Sequence, residues 1–450
     1  MSDQPSDPNP QSGNALAAFR YRDFRLFWTS IFISNIGTWM QMTAVNWLLY
    51  RLTQSPVQLG MNGLFRSVPA IALGVFSGTL ADRYDRKKLL LTTQSLLGLL
   101  ALLLGVLDHS DNIRPWHIYA ITFLSAAVGS CDGPARQSLF PSLIPKAVLP
   151  NAVALNSILW KGAALLGPTL GGIAISVAGT SGAFYANAAS FLAVVIALLL
   201  MRSAAPSPDR SRRFLSDMKT GLSYVYSQKT IFGVIVMEAT TSIFGLDNAM
   251  LTIFASDILR VGARGFGLLQ SARGLGAVIG SSFYIAMGQR PYQGKILLAS
   301  AILYGAAFAL FGLSPSFLLC LALLTFVGAV DTIWAAARST ILQWIAPDRL
   351  RGRVMGIFQL SNQGLNPLGQ VETGLVVPLM GARATTVLGG LIVSSMTLLT
   401  AWRVSEIPKF RLDAPKPPED HADTMAKENT RDQFVRTSLP GKEPDKEFSS

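Results

Sequence analysis

The stretch "GTLADRYDRKKLL" (Gly78–Leu90) places a basic cluster with two aspartates between segments that are almost purely apolar. The segment after it, "LLLTTQSLLGLLALLLGVL" (Leu89–Leu107), has about the length that an α-helix needs to cross a bilayer. Apolar blocks of similar length recur along the chain, for example "ANAASFLAVVIALLLM" (Ala186–Met201). The basic cluster is therefore expected to be a short loop between two membrane spans.

The composition favours a membrane protein over a soluble one. Half of the 450 residues are apolar and 14% are charged, whereas a soluble domain carries about 25% charged residues. Cys131 and Cys320 both lie in apolar blocks, and no spacing of Cys, His and Asp indicates a metal site. We expect no secretory signal peptide, because a polar segment precedes the first apolar block. No Ser–His constellation or Gly-rich phosphate loop indicates an enzyme or ATP-driven transport.

The pattern predicts twelve helical spans, whose connecting loops alternate between the two sides of the membrane. We place their starts near residues 26, 57, 88, 116, 152, 182, 231, 265, 295, 317, 354 and 384. Most of the arginine and lysine residues near the span ends then lie on one side. By the positive-inside rule this side is the cytoplasm, and it holds both termini. The net charge of +12 therefore reflects topology and does not indicate nucleic-acid binding.

The longest internal loop divides the twelve spans into two sets of six. We predict two six-helix bundles, at residues 19–202 and 231–404, joined by a cytoplasmic linker with an amphipathic helix at residues 203–230. The tails at residues 1–18 and 405–450 are predicted to be disordered. "GSCDGPARQS" (Gly129–Ser138) and "GAVDTIWAAARS" (Gly328–Ser339) form a weak repeat between the halves. The predicted fold class is an all-α membrane protein of two pseudo-symmetric bundles, the arrangement of many secondary transporters.

The basic cluster also carries a family signature. It resembles the motif between the second and third spans of the major facilitator superfamily at Gly78, Leu80, Asp82, Arg83, Arg86 and Lys87. Its "DRxDR" form is similar to a branch of bacterial exporters for siderophores and macrolides, as are "FRYRDFRLFWTSIFISNIGTWMQ" (Phe19–Gln41) and "RGRVMGIFQL" (Arg351–Leu360). Asp85 stands where the wider family often has glycine, and the sequence gives it no role.

The resemblance implies a secondary active transporter with the major facilitator fold, located in the bacterial cytoplasmic (inner) membrane. We expect a proton-coupled exporter of a small amphipathic compound that works by alternating access and acts as a monomer. Its partners would then be the small-molecule substrate, protons and the lipid bilayer, with the proton gradient as energy source and no cofactor. An importing symporter on the same fold and a non-transporting receptor are the alternatives.

Two motifs have implied mechanical roles. In the first, Gly78 would let the second span approach the eleventh, and Asp82 would form a cytoplasmic latch held by Arg83 or Arg86; the alternative is a simple topology anchor. The second, "GAALLGPTLGG", resembles an element associated with antiporters and contains Gly162, Gly167, Pro168, Gly171 and Gly172. The glycines permit close helix approach and the proline permits a bend. Plain helix packing is the alternative.

Ionisable residues inside the predicted spans are candidate functional groups, because each costs about 2–3 kcal/mol at mid-membrane. Asp132 and Asp331, which lie near Arg136 and Arg338, are expected to form gate or packing ion pairs at the cytoplasmic end; substrate contacts are the alternative. The candidates for proton coupling are Glu238, then Asp247, then Glu372. Glu238 and Asp247 lie on opposite faces of one span unless the helix breaks near Gly245. The alternative for each carboxylate is a fixed ion pair with a buried cation.

The remaining candidates would line a substrate cavity. They are Asn35, Met42 and Asn46 of the first span, together with the intramembrane cations Arg66, Lys161 and Arg273. A cavity for an amphipathic cargo needs such a mixture of amide, charged and apolar groups. Hydrogen bonds between helices would explain the two asparagines without a cargo.

Overall fold

The computed structural model describes residues 17–83, 85–202, 222–288 and 290–413; the side chains of residues 74–83, 348–349 and 359–363 lie outside the described part. The described residues form helices and contain no strand, which confirms the all-α class. The first half contains α1 (Arg22–Thr53), α2 (Pro56–Arg83), α3 (Arg86–His109), α4 (Pro115–Leu139) and α5 (Leu149–Leu200).

Asp85 determines where α3 begins. Its carboxylate accepts hydrogen bonds from the backbone N–H groups of Lys87, at 2.9 Å, and Lys88, at 3.1 Å. The first N–H groups of a helix have no partner within the helix, and an aspartate at this position is among the best caps. Asp85 thus has a structural role that the family signature did not indicate.

The 52-residue helix α5 reverses direction at Gly179, where φ is 73° and ψ is 178°. Glycine adopts such a positive φ readily because it has no Cβ. Both ends of α5 consequently lie beside the start of α1. The carbonyl of Leu155 accepts a hydrogen bond from Trp28, and that of Leu200 accepts one from Arg22, each at 3.1 Å. α5 therefore comprises the fifth and sixth predicted spans.

The second half contains α6 (Lys229–Phe244), α7 (Asn248–Ile253), α8 (Gly262–Ala286), α9 (Gln293–Leu313), α10 (Phe317–Ile345), α11 (Asp348–Leu365), α12 (Leu368–Met380) and α13 (Ala382–Arg403). Two predicted spans are interrupted here. The seventh breaks between α6 and α7, where Gly245 has extended backbone angles, and it continues beyond α7 as a single π-helical turn, Phe254–Ile258. The eleventh breaks at residues 366–367, between α11 and α12.

The two halves contact each other through two glycine pairs. A Cβ atom on Gly60 of α2 would lie 3.0 Å from the Cα of Gly374 of α12, and a Cβ on Gly267 of α8 would lie 3.1 Å from the Cα of Gly172 of α5. In the reverse direction a Cβ on Gly374 would lie 2.8 Å from the Cα of Gly60, and a Cβ on Gly267 would also overlap the carbonyl oxygen of Pro168. A larger residue in either pair would therefore force the helices apart. Each contact joins the second predicted span of one half to the fifth of the other, as expected for two related halves.

Six helical segments of the described residues are long and apolar enough to cross a membrane, and one of them contains the reversal in α5. The protein is therefore a multi-pass membrane protein. The helices α1, α2, α4 and α8 have similar lengths, 32, 28, 25 and 25 residues, but carry polar side chains. The total of twelve spans and the cytoplasmic location of the termini stay predictions.

The first residues of the predicted C-terminal tail are packed against the rest of the protein. Residues 405–413 include the short helix α14 (Glu406–Lys409), whose Ile407 is fully buried and packs against Gly233. Thr230 donates a hydrogen bond of 2.8 Å to the carboxylate of Glu406. The segment therefore packs against the second half, and placing the boundary of the disordered tail at residue 405 was wrong.

The other terminal and linker predictions fall largely on residues that the structure does not describe. Residues 1–16, 203–221 and 414–450 lie outside the described ranges. Of the predicted linker helix, residues 222–227 are described and helical, with Tyr224 and Val225 buried. Tyr224 donates a hydrogen bond of 3.4 Å to the carbonyl of Ile345 at the end of α10.

Candidate functional site

A cavity of about 1040 Å³ lies between the two halves. It is lined by α1 to α5 of the first half and by α7, α8, α10 and α12 of the second. Toward the predicted cytoplasmic end the lining reaches Phe27, Arg136 and Pro141, at the start of α1 and just past the end of α4. The cavity thus extends from the middle of the bundle toward one end.

The opposite end is closed by contacts between the halves. Tyr50, near the end of α1, hydrogen-bonds to Asp257 of the π-helical turn after α7. The ring of Trp47 stacks on Phe266 of α8, with centroids 5.8 Å apart. Both glycine pairs lie at this same end, because Gly60 and Gly267 are near the starts of α2 and α8. A solute in the cavity therefore has access to the predicted cytoplasmic side and is blocked from the other.

Asp132 and Arg136 form the i,i+4 ion pair that their spacing indicates, and both line the cavity. Asp132 is 4% exposed and also accepts hydrogen bonds from Thr93, at 2.8 Å, and from Gln94, at 2.7 Å. These bonds hold the carboxylate in place and offset the cost of burying it. The pair joins α3 to α4; its role in gating stays a prediction.

The expected pair of Asp331 and Arg338 is wrong. Arg338 is paired with Glu238 of α6, and the two side chains are 7% and 4% exposed. Asp331 is paired instead with Arg273 of α8, with 3.3 Å between nitrogen and oxygen. Asp331 and Arg338 are nearly two helical turns apart on α10, so each finds its partner on a different neighbouring helix.

These pairings change the order of the proton-coupling candidates. Glu238, placed first from the sequence, does not line the cavity among the described residues and is held in the buried pair with Arg338. Glu372 is half-buried on α12 and also lies outside the cavity lining. Asp247 is 7% exposed and lines the cavity. Its position on the cavity wall therefore favours Asp247 as the candidate for proton coupling.

The break after α6 brings Asp247 to the cavity wall. Its carboxylate accepts hydrogen bonds from the backbone N–H groups of Ala249, at 2.6 Å, and Met250, at 3.0 Å, and thereby caps α7. Thr373 of α12 donates a third hydrogen bond at 2.5 Å. The helix is interrupted near Gly245, as the sequence allowed. Because of this break, Asp247 is not held on the helix face opposite Glu238. Asp247 connects the two broken spans.

The polar residues predicted on the first span lie on the cavity wall. Asn35, Met42 and Asn46 all contribute to the lining, with the two asparagines 6% and 3% exposed. The lining contains further amides that were not predicted, among them the buried side chains of Asn62, Gln270 and Gln370. The signal that could have identified them is the same as in α1, namely an amide within an apolar span.

The predicted cavity cations have different environments. Arg273 lines the cavity as the partner of Asp331. Lys161 donates a hydrogen bond to Ser281 across the contact between α5 and α8, and is absent from the described lining. Arg66 of α2 is half-buried and lines the cavity. Among the described residues it has no ion-pair or hydrogen-bond partner.

The glycine-rich motif of α5 serves two interfaces. Cβ atoms on Gly162, Gly167 and Gly171 would meet Phe32, Trp39 and Met40 of α1, whereas one on Gly172 would meet the backbone of α8. The carbonyl of Pro168 faces Gly267 of α8. The motif therefore packs α5 on its own half and at the same time forms one of the contacts between halves.

The loop signature is described only in part. The side chains of Gly78, Asp82 and Arg83 lie outside the described residues. Arg86, at the start of α3, donates a hydrogen bond of 3.3 Å to the carbonyl of Ser138 at the end of α4. This contact ties the loop to the first half; the latch itself stays a prediction.

Comparison with known proteins gives matches over nearly the whole chain. A major facilitator family model described as transmembrane secretion effector matches residues 13–439. The enterobactin exporter EntS of Citrobacter koseri is 24% identical over 398 residues, which cover 88% of this chain and 94% of that protein. The staphyloferrin A transporter of Staphylococcus aureus is 24% identical over 389 residues, which cover 83% and 94%.

Solved structures of transporters share the fold. The nucleoside transporter NupG aligns with a TM-score of 0.65 at 13% identity, over 86% of this chain and 99% of that chain. A bacterial homologue of the lysosomal transporter Spinster, solved in an inward-facing and occupied conformation, aligns with a TM-score of 0.64 at 16% identity, over 86% and 98%. At these identities the similarity establishes the fold alone.

Proposed function

This chain belongs to the transmembrane secretion effector family of the major facilitator superfamily, and we propose that it is a proton-coupled exporter of a small, amphipathic, siderophore-like compound. Like the relatives and the solved structures that it matches, it is a transporter and not an enzyme. The proposal specifies the direction of transport, its coupling to protons and the chemical class of the cargo. It also places the protein in the bacterial cytoplasmic membrane as a monomer with both termini inside.

The observation that carries the proposal is the shape of the space between the halves. The cavity reaches the predicted cytoplasmic end and is closed at the other by the Tyr50–Asp257 contact and the glycine pairs. This is the cytoplasm-facing state of an alternating-access transporter, in which rocking of the halves would close one end and open the other. For an exporter, it is the state that loads cargo.

The lining suits an amphipathic cargo. Three tryptophans, Trp28, Trp39 and Trp160, provide apolar and aromatic surface, and the amides provide hydrogen-bond donors and acceptors. A volume of about 1040 Å³ is at the upper end of the range of small-molecule sites. The relatives named for enterobactin and staphyloferrin A make siderophores the first compounds to test.

Asp247 supports the proposed proton coupling. A coupling carboxylate must meet water from alternate sides, and Asp247 lines the cavity at the break between α6 and α7. Its bond to Thr373 attaches it to α12, the helix that contacts α2 of the other half at Gly374. Proton binding at this carboxylate would therefore be linked to movement of the halves, with Asp82 and Arg83 as the proposed latch of the outward-open state.

Secretion from cells tests the function. The chain is expressed in a bacterial strain that synthesises enterobactin but lacks its own exporter, and the compound is measured in the medium and in the cells. We expect secretion to be restored and the intracellular amount to fall. The same measurement in a strain that makes staphyloferrin A tests the second compound. Unchanged secretion of both siderophores, with the protein present in the membrane, contradicts the proposed cargo class.

A further inference from the structure

We propose that Arg66 and the amide side chains near it form a binding subsite for an acidic oxygen group of the cargo, a carboxylate or phenolate carried on an aromatic body. The inference rests on the proposed function, because it specifies which chemical feature of the cargo is recognised and by which residues. It follows from the charge balance of the cavity, from its unpaired amides and from the contact between α2 and α12.

The charge balance singles out Arg66. Three arginines line the cavity, and two of them have acidic partners: Arg136 is paired with Asp132, and Arg273 with Asp331. Within the described ranges, Arg66 has neither an ion pair nor a hydrogen bond. Its charge is therefore the one that a ligand can neutralise, and an intramembrane cation without a partner is costly unless water or a ligand compensates it.

Asp247 does not serve as that partner. Its carboxylate is already bonded to two backbone N–H groups of α7 and to Thr373. Of the cavity arginines, Arg273 is the one that bonds beside Asp247, since it donates a hydrogen bond of 3.3 Å to the carbonyl of Leu246. Arg66 and Asp247 therefore have separate roles, with the first available to an anion and the second available to a proton.

Buried amides surround the same space. Five of them line the cavity, are 3–6% exposed and have one polar atom without a hydrogen-bond partner among the described residues: Asn35, Asn46, Asn62, Gln270 and Gln370. Buried polar atoms are nearly always paired with protein, water or ligand. Since these amides face the cavity, a ligand rich in oxygen and N–H groups can bond to them.

Helix geometry places two of these amides beside Arg66. Asn62 precedes Arg66 by four residues on α2, so the two side chains share one helix face. Gln370 of α12 reaches α2 at Gly63, where a Cβ atom would lie 2.7 Å from the Cβ of Gln370. The subsite therefore contains residues of both halves. A ligand bound there contacts both α2 and α12, the helices whose glycine contact closes the far end.

The choice of arginine indicates the kind of group that binds. A guanidinium presents a planar fork of N–H donors that matches a carboxylate, whereas a lysine ammonium is a point charge. The tryptophans of the lining accept the aromatic or apolar body of the same molecule. Recognition therefore requires an acidic oxygen group and an aromatic body on one ligand.

Three fluorescent probes with the same aromatic body test the subsite. Dansylglycine carries a carboxylate, dansylglycinamide is neutral and dansylcadaverine is cationic. Their dissociation constants are measured by fluorescence titration of the purified full-length protein in nanodiscs, at fixed ionic strength. The variants are Arg66→Gln and Arg66→Lys, and Arg51→Gln is the matched control because Arg51 is exposed at the end of α1 and outside the cavity lining.

We expect the wild-type protein to bind the carboxylate probe at least about tenfold more tightly than the neutral one, which corresponds to about 1.4 kcal/mol. Arg66→Gln should abolish this preference and leave binding of the neutral probe unchanged. Arg66→Lys should retain part of it, and Arg51→Gln all of it. Circular dichroism and elution as a single species establish that each variant is folded.

The inference is overturned if the wild-type protein does not prefer the carboxylate probe or binds none of the three. It is equally overturned if folded Arg66→Gln keeps the preference. These outcomes are distinct from failure of the proposed function. If the wild-type protein restores siderophore secretion but Arg66→Gln keeps the preference for the carboxylate probe, only the subsite is contradicted. If Arg66→Gln loses the preference but the wild-type protein restores no secretion, only the export proposal is contradicted.

Discussion

The guanidinium of Arg338 and the carboxylate of Glu238 form an ion pair inside the second half, away from the cavity lining. The guanidinium carbon lies 4.4 Å from the ring centroids of both Trp334 and Phe358. The pair therefore links α6, α10 and α11 through charge and aromatic contact. Its position makes it part of the scaffold on which the cavity is built.

Removing one partner of this pair should destabilise the protein. Glu238→Gln leaves the Arg338 charge buried without its counter-ion, which typically costs about 3–5 kcal/mol. We expect a lower unfolding temperature in detergent. The double variant Glu238→Gln/Arg338→Met should lose less stability than Glu238→Gln, because no unpaired charge remains. If Glu238→Gln unfolds at the wild-type temperature, the pair is not structural.

A Cβ atom at the contact between halves should prevent closure of the outer end. In Gly267→Ala the added atom would meet the backbone of α5 at Gly172 and Pro168, so the helices must separate. Gly356→Ala is the matched control, because nothing lies within 4 Å of a Cβ there. We expect transport to fall strongly in the first variant and to stay near wild type in the second.

Spin labels at the reversal of α5 near Gly179 and at the start of α8 measure the same effect directly. Electron spin resonance distances between the labels should shift to longer values in Gly267→Ala and stay unchanged in Gly356→Ala. Equal distance distributions in both variants would show that the glycine pair does not determine closure.

Neutralising Asp247 should separate cargo movement from proton movement. In Asp247→Asn the side chain can still cap α7, because asparagine and aspartate are comparable caps, but it cannot exchange a proton. We expect gradient-driven uptake of the cargo into proteoliposomes to be lost while exchange without a gradient persists. Glu372→Gln, which lies outside the described lining, is the control and should keep gradient-driven uptake. If Glu372→Gln loses gradient-driven uptake and Asp247→Asn keeps it, Glu372 is the coupling residue instead.

The segment after α13 should contribute to folding stability. Ile407 is fully buried against α6 and α13, and replacing a buried isoleucine by alanine typically costs about 2–5 kcal/mol. We expect Ile407→Ala to lower the unfolding temperature in detergent. Ile285→Ala is the control, because this side chain is 77% exposed on α8. Equal effects of the two substitutions would show that α14 packs weakly.

The features that the sequence predicted well depend on local patterns. Blocks of apolar residues and the spacing of the loop signature were sufficient for the helical membrane fold and the family. The Asp132–Arg136 pair was predictable because residues four apart share a helix face. The cavity position of Asn35 and Asn46 followed from amides within an apolar span.

The features that the sequence missed depend on partners far apart in the chain. Glu238 and Arg338 are 100 residues apart, and nothing in either local segment indicates that they meet. Asp331 had Arg338 as its nearest basic residue in sequence, but Arg273 reaches it from α8. Asn62 and Gln370 became recognisable as one group only when the glycine contacts brought α2 and α12 together. In each case the partner is determined by packing between helices that are distant in the sequence.

Transport into inverted membrane vesicles tests most directly the claim that the cavity loads cargo from the cytoplasmic side and that protons drive its export. The vesicle interior is acidified, and the siderophore that cells secrete through this protein is added outside. The account predicts accumulation of the compound inside, together with a loss of internal acidity when it is added, and neither effect once the gradient is dissipated. Accumulation that ignores the gradient, or that occurs only in right-side-out vesicles, would contradict it.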